Sequence, residues 1–148
     1  MNLDINQQVV TYVAIGFGVL VTLLVVVISL AVRKKRSSKK LNTQYYQEKW
    51  LAVQGMLRDK KMWSLAVIDA DKLLEHALKA RKYKGKTMGE RLVAAQHDIK
   101  DNDLVWFGHK LRNKLVHEPD IKLTKTDTKD ALLGIRAALR DLGAFDHD

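Results

Sequence analysis

The chain has 148 residues, of which 47% are hydrophobic, 26 are Lys or Arg, 17 are Asp or Glu, one is Pro and none is Cys. This length permits one modest domain and excludes a large multidomain enzyme. Without Cys there is no disulfide, Cys-ligated zinc, iron–sulfur cluster or thiol nucleophile. The formal net charge of +9 points to an acidic partner, either nucleic acid or a lipid surface.

A long apolar segment occupies the start of the chain. No charged residue lies between Ile5 and Val32, and 19 of the 24 residues from Val9 to Val32 are apolar. About 20 apolar residues in a helix span a hydrocarbon core of about 30 Å. We therefore predict a short extracytoplasmic tail over 1–8 and a transmembrane helix over 9–32. A cleaved signal peptide fits poorly, because its apolar region is shorter and follows a basic region.

A basic linker, predicted over 33–41, follows the apolar segment. Residues 33–40 read RKKRSSKK, with six basic residues, whereas the first eight residues carry only Asp4. The positive-inside rule then predicts a single-pass protein of the inner or plasma membrane, with its N-terminus outside and its C-terminal domain in the cytoplasm. The six positive charges of the run and the negative charge of Asp4 leave only +4 for residues 41–148. Net charge alone is thus poor evidence for nucleic-acid binding.

Within the apolar segment, small residues recur at four-residue steps, at Ala14, Gly18 and Thr22. Such a stripe allows two membrane helices to approach closely and would favour pairing of two chains. Scattered small residues are also ordinary in membrane helices.

Residues 42–148 are predicted to form a cytoplasmic all-α domain of four to five helices, because apolar residues recur at three- and four-residue steps. Thr87-Met-Gly-Glu90 is a capping-box pattern at the start of the third helix. Glu118-Pro119 ends the fourth, since the residue before proline is pushed out of the α region. The expected helices cover about 43–58, 61–81, 87–97, 102–117 and 127–142.

The fourth helix carries the one group of polar residues that could support catalysis. His109, Asn113 and His117 follow each other at steps of four, and Arg112 is three residues from His109. Arginine binds phosphate, and histidine transfers protons near neutral pH. These residue types suit metal-free cleavage of RNA, in which a 2′-OH attacks the adjacent phosphate. The alternative is that Arg112 and His117 only cap the end of the helix.

Other reaction chemistries lack support in the sequence. The glycines follow no strand as a phosphate-binding loop would require, His-Glu-x-x-His is missing, and His109 and His117 have no third ligand in register. We therefore expect no metal and no cofactor.

A basic loop follows the second predicted helix. Lys79, Arg81, Lys82, Lys84 and Lys86 are candidates for binding an RNA backbone, and Tyr83 for stacking on a base. A solvated helix C-terminus explains the same composition.

Three blocks of the chain, 66–78, 85–92 and 106–119, resemble a small bacterial helical family of the HEPN superfamily. The superfamily is marked by Arg, a following polar residue and a His after four to six intervening positions. The segment Arg112-Asn113-Lys-Leu-Val-His117 matches this pattern, with four positions between Arg112 and His117. The resemblance covers roughly residues 45–142.

The resemblance implies a helical bundle that pairs as a homodimer, with both motifs in one cleft. Many members are metal-independent endoribonucleases of toxin–antitoxin or phage-defence systems, which implies RNA and a cognate antitoxin as partners. By this resemblance, Arg112 would bind the scissile phosphate and His117 would be the general acid or base. Asn113 would be the polar orienting residue. His109 lies outside the pattern and would be auxiliary.

Two points stay open beside that resemblance. Asp69, Asp71 and Lys72 match one of the blocks but suggest only a salt-bridged, structural role. Other superfamily members only bind RNA or nucleotides, so a non-catalytic adaptor that binds a protein or nucleotide is the alternative function.

Overall fold

The computed structural model describes residues 2–37, 40–118 and 120–145, which fall into two compact units, 1–38 and 39–148. These residues form α-helices and one 3₁₀ turn, with no strand among them, which confirms the all-α class. The elements are α1 (Asn2–Ser37), α2 (Thr43–Met56), the 3₁₀ turn (Lys60–Met62), α3 (Trp63–Ala80), α4 (Met88–Ala95), α5 (Asn102–His117) and α6 (Lys125–Asp141).

Helix α1 contains a 24-residue segment, Gln7–Leu30, that is long and apolar enough to cross a membrane. The Thr11 and Ser29 hydroxyls donate to the carbonyls of Gln7 and Val25, one turn earlier. Such internal bonds satisfy hydroxyl groups on an otherwise apolar helix. The helix is longer than predicted, since its backbone takes in residues 2–8 of the expected tail and 33–37 of the expected linker. The side chains of residues 31–39 lie outside the described part, so the reading of the basic run stays a prediction.

Helix α3 lies at the centre of the second unit and packs against α2, α4, α5 and α6. Its apolar side is buried from Ala66 to Leu78, as the three- and four-residue spacing predicts, whereas Trp63 at its start is half-buried. The predicted core positions of α6 are buried as well. Together these two helices contribute Val67, Ala70, Leu74, Ala77, Leu78, Leu132, Ile135, Ala138 and Leu139 to the core.

Helices α5 and α6 approach each other closely at two glycines. A Cβ atom on Gly108 would come within 2.9 Å of the Ala131 carbonyl oxygen. A Cβ atom on Gly134 would overlap the Leu104 carbonyl group. Glycine at both positions therefore allows the α5 and α6 backbones to come into contact.

Side-chain caps set the starts of α4 and α5. Asp101 caps α5 by accepting from Leu104 N at 3.0 Å, and α5 has the predicted bounds. Thr87 caps α4, but the predicted reciprocal half of its capping box is wrong. The Glu90 carboxylate accepts from Lys86 N at 2.6 Å instead of from Thr87 N.

Helix α6 begins two residues before the predicted start at Asp127. The Thr124 hydroxyl accepts from Asp127 N at 3.0 Å, and the Asp127 carboxylate accepts from Thr124 N at 3.3 Å. A complete capping box therefore sets this end.

The α5–α6 contact predicts an asymmetric response to alanine. Gly134→Ala should lower the free energy of unfolding by about 1–3 kcal/mol, because the added carbon meets backbone that cannot rotate away. Gly55 occupies an exposed position of α2, and no atom lies within 4 Å of a Cβ atom added there. Gly55→Ala should therefore raise the free energy of unfolding by up to about 1 kcal/mol. Urea unfolding of residues 39–148 measures both. Equal effects of the two substitutions would contradict the close contact.

Candidate functional site

Helix α5 carries all four side chains that the sequence singled out, and the structure joins three of them. His109 is buried, and the Nδ2 amide group of Asn113, one turn later, lies 3.2 Å from its Nε2 atom. Arg112 Nη1 donates to Asn113 Oδ1 at 3.0 Å. The predicted proximity of His109, Arg112 and Asn113 is confirmed.

A buried carboxylate from α3 completes this group. Asp71 Oδ1 lies 3.0 Å from His109 Nδ1, and Asp71 Oδ2 lies 3.5 Å from Arg112 Nε. Asp71, His109, Asn113 and Arg112 thus form a closed ring of polar contacts, which we call the α5 polar cluster. A buried carboxylate needs such partners, because burial of an uncompensated charge is strongly unfavourable.

The hydrogen bonds of the cluster define its proton arrangement. Because Arg112 can only donate, it must meet the oxygen of the Asn113 amide, which turns the amide NH₂ group towards His109. His109 Nε2 then accepts, so the ring proton lies on Nδ1 and is donated to Asp71. One neutral tautomer of His109 satisfies all of these contacts. A proton on Nε2 would face the amide NH₂ group and break the arrangement.

Arg112 is held in place and is still accessible to a ligand. Its Nε atom is buried and makes no hydrogen bond of good geometry, so the 3.5 Å contact with Asp71 is a charge contact. The side chain keeps 28% of its surface exposed. A guanidinium fixed on one side and open on another is suited to binding a phosphate oxygen.

His117 stands apart from the cluster. It is exposed in the last turn of α5, one turn beyond Asn113, and makes no hydrogen bond or ion pair with any residue of the described chain. In the same turn, the Lys114 carbonyl accepts from Glu118 N at 2.7 Å. The His117 imidazole therefore caps no carbonyl in the described chain and is open to solvent.

Asp71 is the site residue that sequence reasoning missed. The salt-bridged role expected for Asp69, Asp71 and Lys72 is confirmed: Asp69 pairs with Lys72 at 3.3 Å, and Asp71 pairs with Arg112 at 3.5 Å. The sequence did not show that the partner of Asp71 lies in α5. One signal was present in the sequence. Asp71 follows Ala70 and precedes Leu74 on the apolar stripe of α3, where a carboxylate needs a partner.

The basic loop is less exposed than its composition suggests. Arg81 and Tyr83 are buried, so the prediction that both face an RNA is wrong. The Tyr83 hydroxyl donates to Asp98 at 2.6 Å, which ties the loop to the segment after α4. Lys82, Lys84 and Lys86 are exposed. Lys79 is exposed too but pairs with Glu75 at 2.9 Å.

Within the described residues, no group of three His, Asp or Glu side chains gathers as a metal-ligand set. Comparison of the chain with protein families, with curated proteins and with solved structures finds no match.

The cluster predicts that two nearby carboxylates differ in importance. Asp71→Asn should lower the free energy of unfolding by about 1–3 kcal/mol, because it leaves the partly buried Arg112 guanidinium without its negative partner and weakens the acceptor of the His109 ring proton. Asp69→Asn, in the same helix, loses only an exposed ion pair and should cost less than about 1 kcal/mol. Urea unfolding of residues 39–148 gives both values. A cost for Asp69→Asn as large as that for Asp71→Asn would contradict the compensating role of Asp71.

Tyr83 predicts a loss of stability in alkali. Burial, assisted by the hydrogen bond and negative charge of Asp98, raises its pKa from 10.0 to about 12, and Arg81 offsets part of the rise. The folded chain keeps a proton that the unfolded chain loses above about pH 10. The stability that protonated Tyr83 contributes is therefore present in full below about pH 10. As the pH rises from there towards 12, the free energy of unfolding falls by up to about 1.4 kcal/mol per pH unit.

Denaturant unfolding of residues 39–148 between pH 9 and 12 measures this fall. Tyr83→Phe should make it shallower, and the fall that remains includes the contribution of Tyr46, whose pKa burial also raises to about 12. An unchanged slope in Tyr83→Phe would show that Tyr83 ionises as readily in the folded chain as in the unfolded one.

Proposed function

We propose that this protein is a membrane-anchored HEPN-like domain that binds RNA through Arg112 and cleaves it without a metal. The observation that carries the proposal is the placement of Arg112. Its guanidinium is held by Asn113 and Asp71, remains partly exposed, and lies on the same helix as the solvent-open imidazole of His117. The Arg-Asn-x-x-x-His spacing and the resemblance of the surrounding blocks support the same function.

The proposed reaction follows from the chemistry of these two side chains. The ribose 2′-oxygen forms a bond to phosphorus, and the bond from phosphorus to the 5′-oxygen breaks. Arg112 stabilises the charge that builds up on the phosphate oxygens. Histidine takes the proton from the 2′-OH or gives one to the leaving 5′-oxygen. The products are a 2′,3′-cyclic phosphate and a 5′-hydroxyl.

Two proton transfers are needed, and His117 is the exposed histidine of the proposed motif in each chain. We therefore place the reaction in a homodimer, in which His117 of one protomer acts as base and His117 of its partner as acid. His109 acts only through Asn113, because it is buried and both of its ring nitrogens are engaged.

The proposed membrane anchor determines where in the cell the RNA-cleaving domain acts. We propose that α1 spans the inner or plasma membrane with the N-terminus outside, which confines the domain to the cytoplasmic face. The apolar length of Gln7–Leu30 and the basic run at 33–40 support this orientation. A toxin–antitoxin or phage-defence role fits such a nuclease, with an antitoxin protein as inhibitor.

A second candidate is a non-catalytic adaptor that binds a protein or a nucleotide. The charge contact between Arg112 and Asp71 favours it, because a paired guanidinium can serve stability alone.

Cleavage of single-stranded RNA in EDTA tests the proposal. We expect the full chain in detergent to give cyclic-phosphate ends, and Arg112→Ala and His117→Ala each to lower the rate at least about 100-fold. Arg140→Ala, which removes an exposed arginine from the last turn of α6, should change the rate less than about twofold. DNA of the same sequence should stay intact, because it lacks the attacking hydroxyl. If RNA stays intact with the parent chain, or if cleavage survives both α5 substitutions, the nuclease proposal is wrong.

A further inference from the structure

A cleft of about 300 Å³ lies between α2 and α6, both of which pack against α3. We call it the α2–α6 cleft. No residue of α5 lines it, so it is separate from the α5 polar cluster. Trp50 and Leu57 line it on the α2 side, and Lys125, Lys129, Leu133 and Arg136 line it on the α6 side.

The cleft is apolar in its lining and partly open to water. Leu57, which follows the end of α2, is 39% exposed, and Leu133 on α6 is 46% exposed. Two of the chain's three tryptophans, Trp50 and Trp63, line the cleft as well. Exposed apolar side chains gathered in a concave surface are typical of a ligand site.

The charged residues that line the cleft are all positive. Lys125, Lys129 and Arg136 all come from α6 and are exposed, and none of the lining residues carries a carboxylate. Lys125 and Lys129 are four residues apart, so two positive charges lie together on one side of the helix. An anion bound beside them would relieve this repulsion.

A hydrogen-bond donor in the lining also lacks a partner. Trp50 is 6% exposed, and its Nε1 atom is buried with no acceptor in the described chain. The corresponding Nε1 of Trp63 donates to the Leu57 carbonyl at 3.1 Å.

We propose that the α2–α6 cleft binds a small amphipathic anion, with its apolar body against Trp50, Trp63 and Leu133 and its carboxylate or phosphate beside Lys125 and Lys129. A free molecule is the occupant, since the cleft is concave and has a volume of about 300 Å³, whereas a bilayer offers a flat surface. This site is independent of the RNA proposal, because the two share no residue.

Fluorine NMR of the full chain tests this proposal. The chain is labelled with 5-fluorotryptophan and placed in nanodiscs of neutral phosphatidylcholine. The probes are naphthalene-2-carboxylate, its neutral amide and 2-naphthylmethylammonium, which share one apolar body. We expect the carboxylate to shift the Trp50 and Trp63 signals but not that of Trp106 on α5, and to bind about tenfold more tightly than the amide. The ammonium probe should bind more weakly than both.

Two variants separate the charge from the apolar lining. Lys129→Gln should weaken binding of the carboxylate about three- to fivefold and leave that of the amide unchanged. Leu133→Ala should weaken both by the same factor. The proposal fails if no probe shifts Trp50 or Trp63, or if the three probes bind equally. It also fails if anionic phosphatidylglycerol nanodiscs shift these signals with no probe added, which would make the membrane the occupant, or if the signals move with protein concentration, which would indicate a second copy of the chain.

Discussion

The buried carboxylate of Asp71 is the constraint on which the candidate site depends. An ionised carboxylate inside a protein costs several kcal/mol unless hydrogen bonds and an opposite charge compensate it. His109 supplies a hydrogen bond at 3.0 Å, and Arg112 supplies the charge at 3.5 Å. Asn113 then joins the two partners to each other. Because Asp71 on α3 contacts both His109 and Arg112, it fixes the rotation of α5 about its axis and the direction of the Arg112 side chain.

A second contact holds α5 from its other neighbour. Gly108 and Gly134 let the α5 and α6 backbones come together, so α5 is fixed both to α3 and to α6. His117 lies beyond these contacts in the final turn. In the proposed function, Asn113 and Asp71 hold Arg112 for a phosphate, and His117, one turn past Asn113, is open to solvent for proton transfer. Rigid placement of the phosphate-binding group is what catalysis by charge stabilisation requires.

The sequence predicted those features that depend on neighbouring residues. The bounds of α5 follow from the spacing of its apolar residues and from Pro119, and the contact between His109 and Asn113 follows from a step of four. The capping box of α6 also depends on neighbouring residues, Thr124 and Asp127. It was not predicted, because Asp127 occupies a position where Glu or Gln is usual. Asp71 could not be placed in the site because 38 residues separate it from His109. The burial of Arg81 and Tyr83 was missed for the same reason, since Asp98 fixes Tyr83 from beyond α4.

The central claim is that Asp71 and Asn113 hold the Arg112 guanidinium ready for a phosphate of RNA. The most direct measurement is the ¹H–¹⁵N NMR signal of Arg112 Nε in the full chain in nanodiscs, with and without a single-stranded RNA carrying 2′-deoxyriboses that block cleavage. We expect a slowly exchanging Nε–H signal that shifts when this RNA is added and that is lost to solvent exchange in Asp71→Asn. An Arg112 signal that stays in place at saturating RNA would show that the guanidinium does not bind the RNA phosphate.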